Sequence, residues 1–563
     1  MPLLLALALL ALFAAPAAAA CPQQARCGTL RVPLDHSGAT PGTMPLAYGI
    51  LPASGPRTGT IVFLTGGPGE PAVRYAPEVA SELAPVRATH DIVLVDQRGT
   101  GDSGDTRCGI FEFPGECAKR LGAKRPFLTT AETARDIEAL RVALGIEKVT
   151  LLGVSYGTRV AGEYARRFPD RTAALILDSP VALDAIEADG LDGIAAMPRV
   201  LREVCAAGPC ATTVDDAAAA LNAAVRRVRR GDVRGPQVVS RKGRRATVEM
   251  INIGELRVYN AVQFASALGP IRSALPAALQ SLARGDAAPL IHLSNLDLDR
   301  ARPDDLPDEI DLPFSASRFH ATMCLEAALP WRTDSALDTR QAAEDAYVRA
   351  LGPKPFAPFS VETVRGAGTA IRCSNWPATP APEPPPATTP DVPVLVLSGR
   401  EDLVTPVEQA REVAATYPRA TLLEIPHVGH SVMNDSACAR AAAATFIAGT
   451  TPEPCAGDPK HPAAAYVPGT LRGKRAVAQA TIDGVRRHLE ASRDMFGPHT
   501  RYELWGQRGG YTLVRRGSFD LRDVEWVRRV RVSGRLSATG SGRLTLSGAT
   551  HGEVRVRRFV ATP

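Results

Sequence analysis

The sequence predicts an α/β fold, in which a doubly wound sheet carries an inserted helical cap and is followed by a small C-terminal β-rich module. Residues 29–180 alternate short apolar runs with helix-like stretches, which is typical of a parallel sheet covered by helices on both faces. Residues 182–376 are alanine-rich and helix-forming, and they interrupt that alternation. Near the C-terminus apolar residues recur at every second position, as in half-buried strands. These three patterns set the predicted domain order.

The first twenty residues differ in kind from the rest. Pro2–Phe13 is almost wholly leucine and alanine, and Ala18–Ala20 supplies a small-residue cleavage site, although the start lacks a lysine or arginine. Because the apolar run is too short to span a membrane, residues 1–20 are predicted to be a signal peptide. No later segment has a transmembrane pattern. We therefore expect a secreted or extracytoplasmic protein.

Ten cysteines fit such a compartment, because disulfides persist where thiols are not continually reduced. Four couples lie close in sequence, and the remaining two cysteines would close a longer loop. The predicted pairs are Cys21 with Cys27, Cys108 with Cys117, Cys205 with Cys210, Cys438 with Cys455, and Cys324 with Cys373. Cys21 directly follows the cleavage site, so its lipidation is an alternative, although the leucine usual three residues earlier is absent.

The core domain is predicted in two parts, residues 21–181 and 394–455. Compact, β-branched runs at Thr60–Leu64 and Ile92–Val95 predict buried strands. Thr130–Leu144 has apolar residues at helical spacing. The other predicted core elements are strands at 150–152, 174–177, 394–397 and 421–425 and helices at 158–167, 407–415 and 438–447.

The cap, residues 182–376, is predicted to be helical, notably over Asp215–Arg229 and Val262–Ala283. We expect it to cover the active site, because it is inserted between two strands of the sheet. Residues 377–393 are rich in proline, which predicts a stiff, extended linker back to the sheet.

The C-terminal region, residues 456–563, is predicted to be a β-rich module with one helix near 476–489. It holds twenty lysines and arginines against nine acidic residues, so it carries +11, whereas the rest of the chain carries −5. Such a basic module could bind an anionic cell-envelope polymer, and a merely solvated face is the alternative. An exported chain without a recognition motif is not expected to bind nucleic acid.

The motif Gly153-Val154-Ser155-Tyr156-Gly157 lies between a predicted strand and a predicted helix. G-x-S-x-G in that position is typical of a nucleophile elbow, whose tight turn needs both glycines and exposes the serine Oγ on a strained backbone. An ordinary glycine turn is the alternative, and the flanking strand and helix favour the catalytic interpretation. Ser155 is the predicted nucleophile.

A serine nucleophile needs a base that takes its proton and an acid that orients the base. Asp402 lies just past the strand at Val394–Leu397 and is the predicted acid. Glu401 beside it is one alternative. Asp178, which follows an earlier predicted strand, is the other.

His430 is the predicted base, because it lies beside a glycine on the loop after the strand at Thr421–Ile425. His427 is interpreted as a loop histidine that packs near the site. Two histidines three residues apart could suggest a metal, but no carboxylate or cysteine ligands accompany them. Neither a metal nor any other cofactor is predicted.

The oxyanion that forms in such a reaction needs fixed hydrogen-bond donors. Gly66-Gly67-Pro68-Gly69 follows the strand at Thr60–Leu64, and its glycines let backbone N–H groups approach the substrate. The amides of Gly67 and Tyr156 are the predicted donors. A simple glycine turn is the alternative interpretation of this segment.

Three motifs in order, Gly66–Gly69, Asp96–Ser103 and Gly153–Gly157, resemble those of the proline iminopeptidase and secreted tripeptidyl aminopeptidase family of α/β-hydrolases. Further similarity lies at Cys27–Asp35, at Cys324 and Cys373–Pro377, and over Asp402–Cys455, so the resemblance spans roughly residues 21–455. Two features depart from the family. Thr65 replaces a histidine often found before G-G-P-G, and the basic module has no counterpart in the simpler members.

The resemblance implies an exported serine aminopeptidase that releases N-terminal residues or tripeptides from peptides with a free N-terminus. It also implies cap carboxylates that pair with the substrate's α-ammonium group, and Glu326 is the predicted anchor; a solvated helix carboxylate is the alternative. Since fold and triad do not set specificity, an exported carboxylesterase with the same machinery is the second hypothesis.

Overall fold

The computed structural model describes residues 21–109, 112–184, 186, 188–206, 208–231, 233–239, 247–265, 268–296, 314–457, 463–496 and 501–557. The predicted signal peptide, residues 1–20, lies outside them.

An eight-stranded sheet forms the centre of the described molecule, and a short hairpin lies apart from it. The strands of both are β1 (Arg26–Pro33), β2 (Thr43–Leu51), β3 (Gly59–Leu64), β4 (His90–Val95), β5 (Val149–Val154), β6 (Thr172–Asp178), β7 (Arg234–Val239), β8 (Thr247–Asn252), β9 (Val394–Gly399) and β10 (Ala420–Ile425). The sheet order is β1-β2-β4-β3-β5-β6-β9-β10. From β4 to β10 neighbouring strands are parallel, as predicted, whereas β1, β2 and β4 pair antiparallel at one edge.

Helices follow most of these strands. Those of the core and cap are α1 (Ala76–Glu82), α2 (Ala84–Arg87), α3 (Pro114–Leu121), α4 (Thr130–Ala143), α5 (Tyr156–Arg167), α6 (Leu191–Cys205), α7 (Ala217–Arg229), α8 (Glu255–Ala265), α9 (Gly269–Ala283), α10 (Ala288–Leu296), α11 (Ala316–Glu326), α12 (Leu337–Leu351), α13 (Val361–Ala367), α14 (Thr369–Cys373), α15 (Val407–Ala415), α16 (Val432–Asp435) and α17 (Ala437–Ile447). Short 3₁₀ helices cover Val73–Tyr75, Gly122–Phe127, Pro169–Arg171, Gly208–Thr212 and Lys354–Phe356.

The central strands are buried on both faces, which explains their unbroken apolar sequences. Val62 and Leu64 of β3 share a buried cluster with helices α3, α4, α5 and α15. Ile61 and Phe63 of the same strand share the opposite cluster with α1, α2 and α17. Because successive side chains of a strand point to opposite faces, an all-apolar strand predicts helices on both sides. The doubly wound prediction is confirmed.

The segment between β6 and β9 forms the cap, which has its own buried core. It is mainly helical, but β7 and β8 form an antiparallel hairpin that the sequence analysis did not predict. The helix predicted at 262–283 is two helices, α8 and α9, and residues 266–267 lie outside the described structure. Pro270 lies in the first turn of α9, a position that proline favours, and Pro276 lies inside the same helix.

All ten cysteines form disulfides in the five predicted pairs. Cys324–Cys373 joins α11 to α14 and thereby closes a long loop of the cap. The Cys21 sulfur is bonded to Cys27, so it lacks the free thiol that lipidation would need. Five disulfides are typical of a protein that folds in an oxidising compartment.

The C-terminal module consists of a long helix, α18 (Lys474–Phe496), packed on an antiparallel sheet. Its strands follow one another as β11 (Arg501–Trp505), β12 (Tyr511–Arg515), β13 (Ser518–Glu525), β14 (Val530–Leu536), β15 (Gly542–Gly548) and β16 (Gly552–Val556). This arrangement confirms the predicted β-rich module.

The module rests on the cap. The Ala464 N–H donates to the Ser273 carbonyl at 2.8 Å, and Arg508 forms an ion pair with Asp286 of the cap. Across the described ranges, none of the helices combines the length and the apolar character needed to cross a membrane.

Candidate active site

Ser155 lies in the turn between β5 and α5, with φ 54° and ψ −124°. A Cβ at Gly153 would overlap the carbonyl oxygen of Gly157, and a Cβ at Gly157 would overlap that of Leu64. Both glycines are therefore required by the close approach of backbone to backbone. The positive φ of a non-glycine residue at this point is the strain expected of a nucleophile elbow.

The loops after β9 and β10 bring Asp402 and His430 together. His430 Nδ1 lies 2.8 Å from Asp402 Oδ2, and the Asp402 side chain is fully buried. Asp402 also accepts hydrogen bonds from the Val404 N–H at 2.7 Å and from the Thr405 hydroxyl at 2.9 Å. These donors orient the carboxylate towards the imidazole. Thr405 had no predicted role, and its hydroxyl three residues after the predicted acid was the available signal.

The competing residues have other partners. Glu401 forms a buried ion pair with Arg272 at 2.7 Å, and His427 Nδ1 lies 3.5 Å from Glu401 rather than near Asp402. The structure therefore pairs His430 with Asp402 and not with Glu401.

Asp178, the other alternative acid, accepts hydrogen bonds from backbone N–H groups instead. Its carboxylate accepts the N–H groups of Val432 at 2.8 Å and Met433 at 2.9 Å, just after His430. Its carbonyl oxygen accepts the Ser155 N–H at 2.9 Å. Asp178 thus ties the elbow and the histidine loop to the same end of β6.

His430 has a raised pKa. Burial alone would lower it, but the charge and the hydrogen bond of Asp402 outweigh burial, and the charges of Asp178 and Glu70 add to their effect. An imidazole with this environment favours the protonated form that follows proton abstraction from a serine.

The Gly66–Gly69 loop lies against the elbow. A Cβ built at Gly66 would be 2.9 Å from the Ser155 Cβ and 3.4 Å from its Oγ. Gly67 has φ 105°, in the region that favours glycine. Tyr156 is the first residue of α5, so its N–H is among those that have no partner within the helix. The two predicted oxyanion donors therefore belong to segments that meet at Ser155.

Glu326, the predicted amine anchor, lies in a buried network behind Tyr156. Its carboxylate accepts from the Thr130 N–H and hydroxyl, both at 2.5 Å, and lies 3.5 Å from Arg159 Nε. The Tyr156 hydroxyl is 2.7 Å from that of Thr130, and it accepts from Arg318 at 2.9 Å. Both Glu326 oxygens have protein partners, and Thr130 links them to the Tyr156 hydroxyl. The role of Glu326 as amine anchor stays a prediction.

Among the described residues, no group of three or more histidine, cysteine or acidic side chains is arranged to hold a metal. The absence of a cofactor stays a prediction.

A family model described as alpha/beta hydrolase fold matches residues 59–437. The chain is similar to serine protease Hip1 of Mycobacterium tuberculosis, with 34% identity over 202 residues that cover 30% of this chain and 38% of Hip1. It is also similar to the tripeptidyl aminopeptidase of Streptomyces coelicolor, with 30% identity over 193 residues that cover 28% of this chain and 36% of that enzyme. The chain thus spans little more than a third of the length of these relatives.

Among solved structures, the chain is similar to the proline iminopeptidase of Mycobacterium smegmatis. The TM-score is 0.35 and the sequence identity 16%, and the match covers 75% of this chain and 98% of that one. Because the family model matches more than half of the sequence, from β3 to the start of α17, the chain belongs to the alpha/beta hydrolase fold family.

Proposed function

We propose that this protein is an exported serine aminopeptidase that releases N-terminal residues or tripeptides from peptides with a free N-terminus. The observation that carries the proposal is the 2.8 Å contact between His430 and Asp402, on loops tied through Asp178 to the strained turn that holds Ser155. The similarity to a serine protease and to a tripeptidyl aminopeptidase favours peptides over other acyl substrates.

In this mechanism Ser155 Oγ attacks the carbonyl carbon, and its proton moves to His430. Asp402 holds the imidazole in the orientation and tautomer that accept this proton. The N–H groups of Gly67 and Tyr156 donate to the oxyanion. His430 then gives its proton to the leaving amine, and water, activated by His430, releases the acyl group from Ser155.

A substrate panel tests the proposal. Peptidyl anilides with a free α-amino group are compared with their N-acetylated counterparts and with simple aryl esters. We expect the highest kcat/KM for the free amines. A preference for blocked peptides or for esters would contradict the aminopeptidase proposal and favour an exported carboxylesterase with the same triad.

Export is part of the proposal. The five disulfides and the predicted signal peptide at residues 1–20 support it. Mass spectrometry of the protein recovered from its native host tests the point. We expect a mature N-terminus at Cys21 with all cysteines oxidised, and an unprocessed chain would contradict export through this signal.

We further propose that the C-terminal module binds an anionic cell-envelope polymer. Arg535, Arg543 and Arg555 lie directly opposite one another on β14, β15 and β16, and all three are exposed. Like charges on opposite strand positions destabilise a sheet, so a polyanion that neutralised them would be favoured. Glu553 pairs with Arg543 at 3.1 Å and Asp520 lies 3.9 Å from Arg535, which neutralises the row only in part.

The full-length protein with all three arginines changed to alanine tests this proposal. We expect weaker binding to isolated envelope material and to immobilised poly-L-glutamate, with a smaller dependence on salt. The control changes three exposed arginines elsewhere, Arg57, Arg202 and Arg332, to alanine. Equal binding by both variants would contradict the proposal.

A further inference from the structure

Glu70 ends the loop that carries the predicted oxyanion donor. Its N–H bonds to the Gly66 carbonyl at 3.4 Å, and its own carbonyl accepts the Thr65 hydroxyl at 2.7 Å. Gly66 in turn packs against the Ser155 side chain, since a Cβ built at Gly66 would lie 2.9 Å from the Ser155 Cβ. The backbone of Glu70 is therefore hydrogen-bonded to Gly66, the residue that packs against Ser155.

The Glu70 side chain is exposed to solvent, although surrounding protein partly desolvates its carboxylate. Burial raises its pKa, and the charge of His430 and a hydrogen bond from the Gly66 N–H partly offset this effect. The pKa of Tyr75 is also raised, mainly by burial of its phenol and in addition by the charge of Glu70. The exposed Glu70 side chain therefore lies close enough to His430 for the two charges to interact.

Among the described residues, no cation is fixed beside the Glu70 carboxylate. Over the described ranges, no lysine or arginine nitrogen lies within ion-pair distance of it, and His430 is the group whose charge favours its ionised form. A partly desolvated carboxylate that has a backbone hydrogen bond but no cation fixed beside it in the described structure is available to pair with a cationic ligand. Glu326 differs in this respect, because Thr130 and Arg159 already satisfy it.

We propose that Glu70 binds the α-ammonium group of the substrate, so that the amine anchor lies on the oxyanion loop of the core rather than on cap helix α11. This inference rests on the proposed aminopeptidase function and names the residue that would make it selective for free N-termini. Phe314 forms an apolar wall beside it, with its ring 3.3 Å from the Cβ positions of Gly67 and Gly69.

The position of Glu70 also limits the length of the released fragment. An extended peptide advances about 3.3–3.6 Å per residue, so an anchored ammonium group allows only one number of residues between Glu70 and Ser155. Free-amine substrates with one, two and three residues before the scissile bond should therefore differ in KM. The length with the lowest KM in the wild type should lose that advantage when Glu70 is changed.

The test compares wild type, Glu70→Gln and a matched control, Glu78→Gln, an exposed carboxylate in the first turn of α1. Each is assayed at pH 8 on pairs of free-amine and N-acetylated substrates. For Glu70→Gln we expect the free-to-blocked ratio of kcat/KM to fall roughly 10- to 100-fold, mainly through KM, since a hydrogen bond to a charged group is lost. The control should keep the wild-type ratio.

A wild-type ratio retained by Glu70→Gln would overturn the proposal. So would an equal loss on free and blocked substrates, because it would mean that Glu70 acts on His430 rather than on the amine. The labelling rate of Ser155 by a neutral phosphonate reports folding of the site in each variant. A wild type that prefers blocked peptides or esters would instead refute the proposed aminopeptidase function, so the two failures are distinguishable.

Discussion

The Asp178 carboxylate accepts the Val432 N–H at 2.8 Å, although 254 residues separate the two in sequence. The contact lies at the carboxyl end of β6, where the Asp178 carbonyl also receives the Ser155 N–H. Asp178 is thus a positioning residue that fixes the histidine loop relative to the nucleophile, although it is not the partner of His430.

Asp178→Ala should weaken both stability and catalysis. It removes the acceptor of two buried backbone N–H groups, so we expect the free energy of unfolding to fall by about 2–4 kcal/mol. We also expect kcat to fall more than KM rises, because the loop that carries His430 loses its anchor. Asp178→Asn, which keeps one acceptor oxygen, should recover part of both losses in urea unfolding and steady-state assays. An alanine variant with wild-type kcat would show that the loop is held by other contacts.

Asp402→Asn should lower kcat by about 10³- to 10⁴-fold, because an amide cannot stabilise the imidazolium or impose the right tautomer. Glu401→Gln, at the adjacent residue, is the control variant. Its carboxylate pairs with Arg272, so that change should lower stability and leave kcat within a few-fold. Similar losses of kcat in both variants would contradict the assignment of Asp402 as the orienting acid.

The pH profile should follow the raised pKa of His430. Activity needs the neutral imidazole, so kcat/KM should fall as pH decreases through a midpoint above the ordinary histidine value of about 6.5. Removing the negative charge in Glu70→Gln should move that midpoint to lower pH. The measurement is the acid limb of kcat/KM with an N-acetylated substrate, whose own charge does not change in this range. A wild-type midpoint below that of free histidine would contradict the environment described for His430.

Acid should destabilise the contact between the cap and the module. His292 of the cap and His488 of α18 are buried with ring centroids 5.0 Å apart. Burial lowers the pKa of His292 well below its usual value and that of His488 to about 4, the latter despite a hydrogen bond with the Trp505 carbonyl. Since the unfolded state takes up these protons near pH 6.5, stability should fall as pH decreases from about 7 towards 4, by up to about 1.4 kcal/mol per pH unit per histidine.

Urea unfolding between pH 7.5 and 5 measures this dependence. His488→Gln, which does not titrate, should show a shallower loss of stability than the wild type over the same range. Equal slopes would mean that His488 is already protonated in the folded protein or does not control this interface.

Many elements of the fold could be predicted from sequence, because their determinants are local. β3 and β5 are short, largely apolar runs, and a Cβ at Gly153 or Gly157 would clash with backbone atoms around the elbow. The hairpin of β7 and β8 was missed because β8 is short and largely exposed, so no buried apolar run marks it in the sequence. The break between α8 and α9 was missed because alanine-rich sequence favours a helix on both sides of Pro270.

The sequence by itself determined the predicted nucleophile, its place between a strand and a helix, and the chain order of Ser155, Asp402 and His430. Only the tertiary structure shows which partners each carboxylate has. Asp402, Asp178 and Glu326 all had plausible local contexts, but a carboxylate's role depends on the donors and charges that packing brings to it from distant segments. Local sequence encodes the backbone turns of this site, whereas its electrostatics arise from contacts across the fold.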